Sequence, residues 1–323
     1  FKISSKFSMF NKNKNDSGSE MVSSLGTAIL KLTPIIEKLK PDIILAGFDI
    51  GANFAASMIG AHMNIPVAHV EGGEVTGTID EPIRHSISKF SHLHFTTNNV
   101  AKQRLIKMGE NPNFIFNVGN PSLDEIIKIK KISKEKILQE FNLNPLKPYI
   151  VILQHTVTSE INKIEYFIQE TLNAVIELNI QAILIHGNSD AGGKKISKVI
   201  KNYDIKQFNT ISFQNYINLL RNSSALVGNS SSGIMEAPFL KVPTVNIGTR
   251  QTGRLRQKSV IDVDYDKKAI KKAIKKAVFD KQFLSEIRRQ KTFYGNGHAS
   301  EKIIKILEKI DLKKIPIQKK LMY

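Results

Sequence analysis

Short, nearly uninterrupted apolar runs recur along this chain, with amphipathic stretches between them. The runs are residues 43–47 (IILAG), 65–70 (IPVAHV), 93–97 (LHFTT), 114–119 (FIFNVG), 149–154 (YIVILQ), 181–187 (QAILIHG), 225–229 (ALVGN) and 243–248 (PTVNIG). The segments 51–62, 99–109, 160–178 and 193–202 read as helices. Strands alternating with helices of this length make βαβ units, whose strands pair in parallel. A strand covered by helices on both faces loses the in-out alternation of a half-exposed strand, as these have. The expected class is α/β with parallel sheets. Ligands of such sheets bind beyond the carboxyl ends of the strands, so the residues that follow each run are the ones to weigh.

The 323 residues suit two domains at roughly 100–200 residues each. The polar segment NLNPLKP (142–148) follows a helical run and carries two prolines, which places the expected boundary there. The expectation is one domain over 1–145 and a second over 146–323, the last helices packing back on the first. The absence of cysteine excludes disulfides, thiolate metal sites and a cysteine nucleophile. No apolar run reaches the ~18 residues of a transmembrane helix, and residues 1–20 lack a secretory apolar core. A cytoplasmic location is expected, with no membrane partner. The net charge is +18, and residues 266–323 hold 17 basic and 6 acidic residues. Much of that excess lies in KKAIKKAIKKAVF (267–279), where Ala269, Ile270, Ala273, Ile274, Ala277 and Val278 form one stripe and lysines the other. That pattern is a solvated helix face. Without interleaved aromatics or arginines it does not call for a nucleic-acid partner.

Acids stand at three loop positions in the first half. Asp49 follows the first run and precedes a helix, where N-capping would be its ordinary role. Glu71 stands between an apolar strand and Gly72-Gly73, where a carboxylate has no obvious capping work. In Thr78-Ile79-Asp80-Glu81-Pro82, Asp80 as N-cap would put Pro82 inside the first turn, where its missing N–H is harmless. His92 and His94 share a strand but lack a third ligand, so no metal is expected. His155 and His186 end consecutive strands of the second half and could act as acid, base or phosphate donor. In Gly228-Asn229-Ser230-Ser231-Ser232-Gly233, a strand meets a Gly/Ser turn that reads as a helix start and phosphate site. Glu236 lies one turn on, and Arg250 follows the next strand. Donor turn, acid and arginine at adjacent strand ends point to a nucleotide.

Four segments together carry a family resemblance: HVEGGEVTGTIDEPIRHSISKFSHLHF (69–95), NPNFIFNVGNPSLD (111–124), GNSSSGIMEAPFLKVPTVNIGTRQTGR (228–254) and YGNGHAS (294–300). They resemble the UDP-N-acetylglucosamine 2-epimerase family over about Pro41 to Ser300, and EGGEVTGTID resembles its hydrolysing branch in sialic-acid-type synthesis. The resemblance implies a GT-B-like pair of Rossmann-like domains with the active site in the interdomain cleft. It implies elimination of UDP across C1–C2 to a 2-acetamidoglucal, then addition of water to release N-acetylmannosamine. It places the catalytic roles on Asp49, Glu71, Asp80 and His155, and UDP-sugar contacts on Asn188, Ser230, Ser231, Glu236 and Arg250; the strand-end His186 is expected to join those contacts. It implies a UDP-sugar as the small-molecule partner, a homo-oligomer (dimer or tetramer), and neither metal nor redox cofactor.

Two departures stand out. Phe48-Asp49-Ile50 replaces the family's Gly-Asp-Arg, removing an arginine that could hold the diphosphate. The family's opening strand and Gly-Thr-Arg turn have no counterpart before Pro41, so the expectation is a chain lacking the first βαβ unit. The alternatives are a 2-epimerase for another UDP- or GDP-linked acetamido sugar, or a catalytically impaired sugar-nucleotide-binding protein.

Overall fold

The computed structural model describes residues 3–10, 17–187 and 192–322. The chain divides into two compact units: residues 1–121 with 294–323, and residues 122–293. The division falls after Pro121, not at 142–148. Helices α5 (Ser122–Lys128) and α6 (Lys134–Glu140) precede the proline-containing segment but belong to the second unit. There Ile137, Leu138 and Phe141 pack beneath its sheet. A polar, proline-bearing stretch marks a loop, and here the loop lies inside a domain.

The first unit begins with the long helix α1 (Gly18–Leu39) and continues β1 (Ile44–Gly47), α2 (Gly51–His62), β2 (Val67–Val70), α3 (Asp80–Phe90), β3 (Leu93–Thr96), α4 (Asn99–Lys107) and β4 (Ile115–Asn117). Its strands pair in parallel in the order β1-β2-β3-β4. Ala46, Val67 and Ile87 form the core on one face. Ala68, Val70, Leu93 and Phe95 face the other way, onto Ala299 and Ile303.

The second unit continues from α5 and α6 through β5 (Tyr149–Leu153), α7 (Ile164–Leu178), β6 (Gln181–Ile185), α8 (Gly193–Ile200), β7 (Lys206–Phe208), α9 (Phe213–Asn222), β8 (Ala225–Gly228), α10 (Glu236–Phe239), β9 (Thr244–Ile247), β10 (Val260–Val263), α11 (Lys267–Phe279) and α12 (Lys281–Arg289). The chain then returns to the first unit as α13 (Ala299–Lys309). The six parallel strands run β7-β6-β5-β8-β9-β10. This is the doubly wound Rossmann order, whose direction of winding reverses between the first and fourth strands. The ligand crevice of such a sheet therefore lies beyond β5 and β8. On α11 the expected stripe is the buried one: Ile270, Ala273, Ile274 and Ala277 pack on the sheet.

All eight apolar runs form strands, and β7 and β10 are additional. Both additions are short edge strands of the six-stranded sheet. None of their residues is fully buried, so no continuous apolar run announced them.

After α13 the tail crosses the first unit. His92 Nδ1 accepts from the Val67 N–H at 3.1 Å, so its Nε2–H donates to the Ile317 carbonyl at 3.1 Å. Lys319 Nζ donates to the carbonyls of Ser88 (3.0 Å) and Ser91 (2.5 Å) and to Glu110 (2.6 Å). A cation at the carboxyl end of α3 neutralises the partial negative charge gathered there. The same Glu110 carboxylate lies 3.1 Å from His94 Nε2. Among the described residues no helix is long and apolar enough to cross a membrane, and no group of three ligand-type side chains is placed to hold a metal.

Candidate active site

In the first unit, the exits of β1 and β2 carry two of the expected acids. Gly47 is in register with Val70, which sets Phe48 beside Glu71. Both residues turn out of their strands with left-handed backbone, Phe48 at φ 64° and Glu71 at φ 66°. This region is costly for side chains other than Gly, Asn and Asp, and such residues gather at functional sites. Their N–H groups are held by the neighbouring strands: Phe48 donates to Val70 O (3.2 Å) and Glu71 to Phe95 O (2.9 Å). Glu71 is buried.

Asp49 does not cap α2. The cap position is Ile50, without a side-chain bond. Asp49 instead pairs with Arg84 from α3. Arg84 is 1% exposed, and its Nε and Nη1 are buried without a hydrogen-bond partner among the described residues. A buried guanidinium with donors to spare is a ready partner for an anion. Sequence reading missed this residue. Its signal was an arginine placed by helical spacing on the face of Ile87 and Ser88, both fully buried.

Asp80 is likewise not the side-chain cap expected of it. It is the first residue of α3, after Ile79 in helical conformation. Its Oδ2 accepts from Thr78 Oγ1 at 2.8 Å, while Glu81 turns back to accept the Thr76 N–H at 2.8 Å. Pro82 still falls within the first turn. The Gly-Gly loop is closed by Glu74, buried and bonded to Thr97 and Asn98, and by Arg104, which donates to the Gly73 carbonyl.

In the second unit, His155 leaves β5 beside the end of β8, as the strand order requires. Asn229 joins the two exits: its Oδ1 accepts the His155 N–H at 2.7 Å and its Nδ2 donates to the His155 carbonyl at 2.9 Å. Gly228, at φ 134°, sits where a Cβ would run into the Leu153 carbonyl, so β8 can approach β5 this closely only with glycine. The Asn229 carbonyl accepts from Gln251 Nε2 (2.8 Å) and Arg250 Nη1 (3.4 Å) in the loop after β9. Glu160 holds that loop from outside, accepting from Thr249 Oγ1 (2.6 Å) and Tyr265 Oη (3.2 Å). Three strand ends thus share one polar cluster.

The serine turn differs from the helix start expected of it. Ser231–Gly233 is one 3-10 turn, with Ser230 accepting the Ser232 N–H. Glu236 opens a separate helix of four residues. So short a helix has no useful dipole; hydroxyls and local N–H groups are what the turn offers. Glu236 Oε1 accepts from Ser122 Oγ at 2.8 Å, and its buried Oε2 has no partner among the described residues, leaving an acceptor for a hydroxyl ligand. His186 does not suit its expected role. Its Nδ1 meets Ser197 Oγ at 3.3 Å and its Nε2 meets Gln207 Oε1 at 3.1 Å, so neither ring nitrogen is left for a ligand. Asn188 lies outside the described residues.

Strand-end acids in one unit and a polar switch point in the other define an α/β protein with two parallel Rossmann-like sheets. A family model described as UDP-N-acetylglucosamine 2-epimerase matches residues 1–308. A Legionella pneumophila protein named UDP-N,N'-diacetylbacillosamine 2-epimerase (hydrolyzing) is 37% identical over 302 residues, covering 92% of this chain and 79% of that one. A Neisseria meningitidis UDP-N-acetylglucosamine 2-epimerase is 35% identical over 257 residues, 78% of this chain and 68% of that one. The crystal structure of UDP-GlcNAc 2-epimerase from Neisseria meningitidis bound to UDP-GlcNAc superposes with a TM-score of 0.80 at 20% identity, over 93% of this chain and 84% of that one. That likeness shows the GT-B-like fold. The chain belongs to the UDP-N-acetylglucosamine 2-epimerase family.

Proposed function

We propose that this chain is a hydrolysing 2-epimerase of a UDP-linked 2-acetamido sugar, releasing UDP and the C2-inverted free sugar. The observation that carries the reading is the pair of adjacent strand exits in the first unit. There Asp49 and Glu71 follow or occupy left-handed residues, and a buried arginine faces Asp49. Elimination removes the C2 proton and breaks the C1–O bond to UDP. A carboxylate takes the proton, and the departing diphosphate needs cations and hydrogen-bond donors. Addition of water to the resulting double bond returns a proton to C2 on the opposite face and places hydroxyl at C1. Asp49, Glu71 and Asp80 serve these proton transfers. Arg84 supplies positive charge where the sequence lacks an arginine at Ile50. In the second unit, His155, Ser230, Ser231 and Arg250 serve the diphosphate, and Glu236 a ribose hydroxyl.

The sugar is the finer question. UDP-N-acetylglucosamine is the first reading. UDP-N,N'-diacetylbacillosamine is the second, favoured by the name of the Legionella relative. Proton NMR in D2O with each sugar nucleotide tests both. The expected product is free sugar carrying deuterium at C2, with UDP released. UDP release without deuterium at C2 would mean simple hydrolysis and would remove the epimerase reading. No turnover of either substrate, with UDP still bound, would leave a sugar-nucleotide-binding protein.

A further inference from the structure

His69, in the middle of β2, is fully buried and therefore reaches no substrate. It nevertheless lies against Ser88, one turn from Arg84, and under the turn after Glu71. Its Nδ1 lies 3.0 Å from Ser88 Oγ. Ser88 is one turn beyond Arg84 on α3, and its Oγ also lies 3.2 Å from the Arg84 carbonyl. The ring underlies the turn after Glu71: a Cβ at Gly72 would meet His69 Nδ1 at 3.0 Å and Ser88 Oγ at 3.4 Å. Nε2 is buried and makes no hydrogen bond to a described residue. His94, in register with His69 on β3, and Arg84 and His85 on α3 complete its charged surroundings. Burial foremost, then these positive neighbours, holds its pKa well below the ordinary value, so the ring is neutral. A neutral imidazole carries one donor and one acceptor. Ser88 Oγ donates its one proton to the Arg84 carbonyl, so the imidazole donor is Nδ1–H, to Ser88 Oγ.

We propose that His69 is a positioning residue, a buried imidazole that fixes the Arg84 turn against the strand that delivers Glu71. Simple filling of space asks only for a ring of the same size. Positioning asks for the Nδ1–H donor, because its bond to Ser88 Oγ, which itself holds the Arg84 carbonyl, ties that turn to β2. The catalytic consequence rests on the proposed epimerase reading; the geometric claim does not.

The test compares His69→Phe, which keeps the ring volume, with His69→Asn, which keeps a donor near the Nδ1 position. A misplacement of about 1 Å can cost roughly 10²-fold in rate, and a loss of that order in kcat is expected for His69→Phe, with KM within about twofold of wild type. His69→Asn should recover about tenfold of the loss. A folded His69→Phe protein with unchanged kcat overturns the proposal, as does an Asn variant no better than Phe. If His69→Phe does not fold, Ser88→Ala removes a single hydroxyl and should lower kcat about threefold, the loss of one orienting hydrogen bond; unchanged kcat overturns the proposal. If the wild type turns over neither sugar nucleotide, the epimerase reading fails by itself. Crystal structures of the wild type and the folded variant then decide the geometric claim: an Arg84 guanidinium and Glu71 carboxylate displaced relative to each other support it, and unmoved ones overturn it.

Discussion

At the switch point of the second unit, β5 and β8 are joined by the uncharged Asn229 amide. In the first unit, the exits of β1 and β2 are braced by charged or titratable groups: Asp49 against Arg84, and His69 behind them. The amide tie is indifferent to pH. The ionic one is not, and it leaves buried donors available for a negatively charged ligand. A surface that only grips a nucleotide can be built from neutral hydrogen bonds. One that must exchange protons needs groups whose charge can change, and those are costly to bury.

The sharpest way to break this contrast is Glu71→Gln. General acid–base groups contribute roughly 10²–10⁴-fold in rate, so turnover should fall by that order while UDP affinity, measured calorimetrically, stays within about twofold. Equal losses of turnover and UDP affinity would erase the division of labour between the units. Next comes Arg84→Met, which leaves Asp49 facing an apolar neighbour. Removing one partner of a buried pair costs about 3–5 kcal/mol, and the partial exposure of Asp49 puts the expected loss near the lower end, read by denaturant unfolding. Asn229→Ala should cost about 1–3 kcal/mol through its orphaned backbone partners and weaken UDP binding more than it slows chemistry.

Acid should separate the units without mutation. Burial is the main cause that lowers the pKa of His69, His85, His92 and His94, all in the first unit. The unfolded chain takes up protons near the ordinary histidine value of about 6.5 while these folded histidines do not, so stability falls as pH drops below it. Glu110 adds a second step. Burial opposes its ionisation, but His94 and Lys319 outweigh burial and hold it at about 2. Its contribution is complete above the unfolded value of 4.5 and is lost as pH falls toward 2. Hydrogen exchange between pH 7 and 5 should therefore show β2 and β3 losing protection before β5 and β8; the reverse order would sink the contrast. The smallest effect is expected on α11, where Lys268→Gln with Lys272→Gln should change stability by no more than about 0.5 kcal/mol and leave turnover unchanged. A larger effect would give the basic face a role it lacks here.

Much of this was legible in the residues, and the misses have physical causes. Eight strands announced themselves as nearly uninterrupted apolar runs, and β2, β3, β8 and β9 are buried along their whole length. β7 and β10 did not, because none of their residues is fully buried. That Asp49, Glu71 and His155 stand at strand exits was legible, because each follows an apolar run of a parallel sheet. Asp80 was placed one position off, since only the local hydrogen bonds decide where α3 begins. The serine turn resembled a helix start, but it closes as a 3-10 turn ahead of a separate helix of four residues. Arg84 and Asn229 act through partners far away in sequence, which spacing cannot reveal. The boundary was misplaced because α5 and α6 precede the strand whose sheet they cover.

Lys319 also bears on how the molecule comes off the ribosome. The first unit is begun first, yet its bonds from Lys319 to Ser88 and Ser91 span 231 and 228 residues. At a synthesis rate of roughly 5–20 residues per second, Ser88 waits about ten seconds or more for its partner. The second unit, contiguous in sequence, can close meanwhile. The half that carries the acids is thus the first to emerge and the last to be finished.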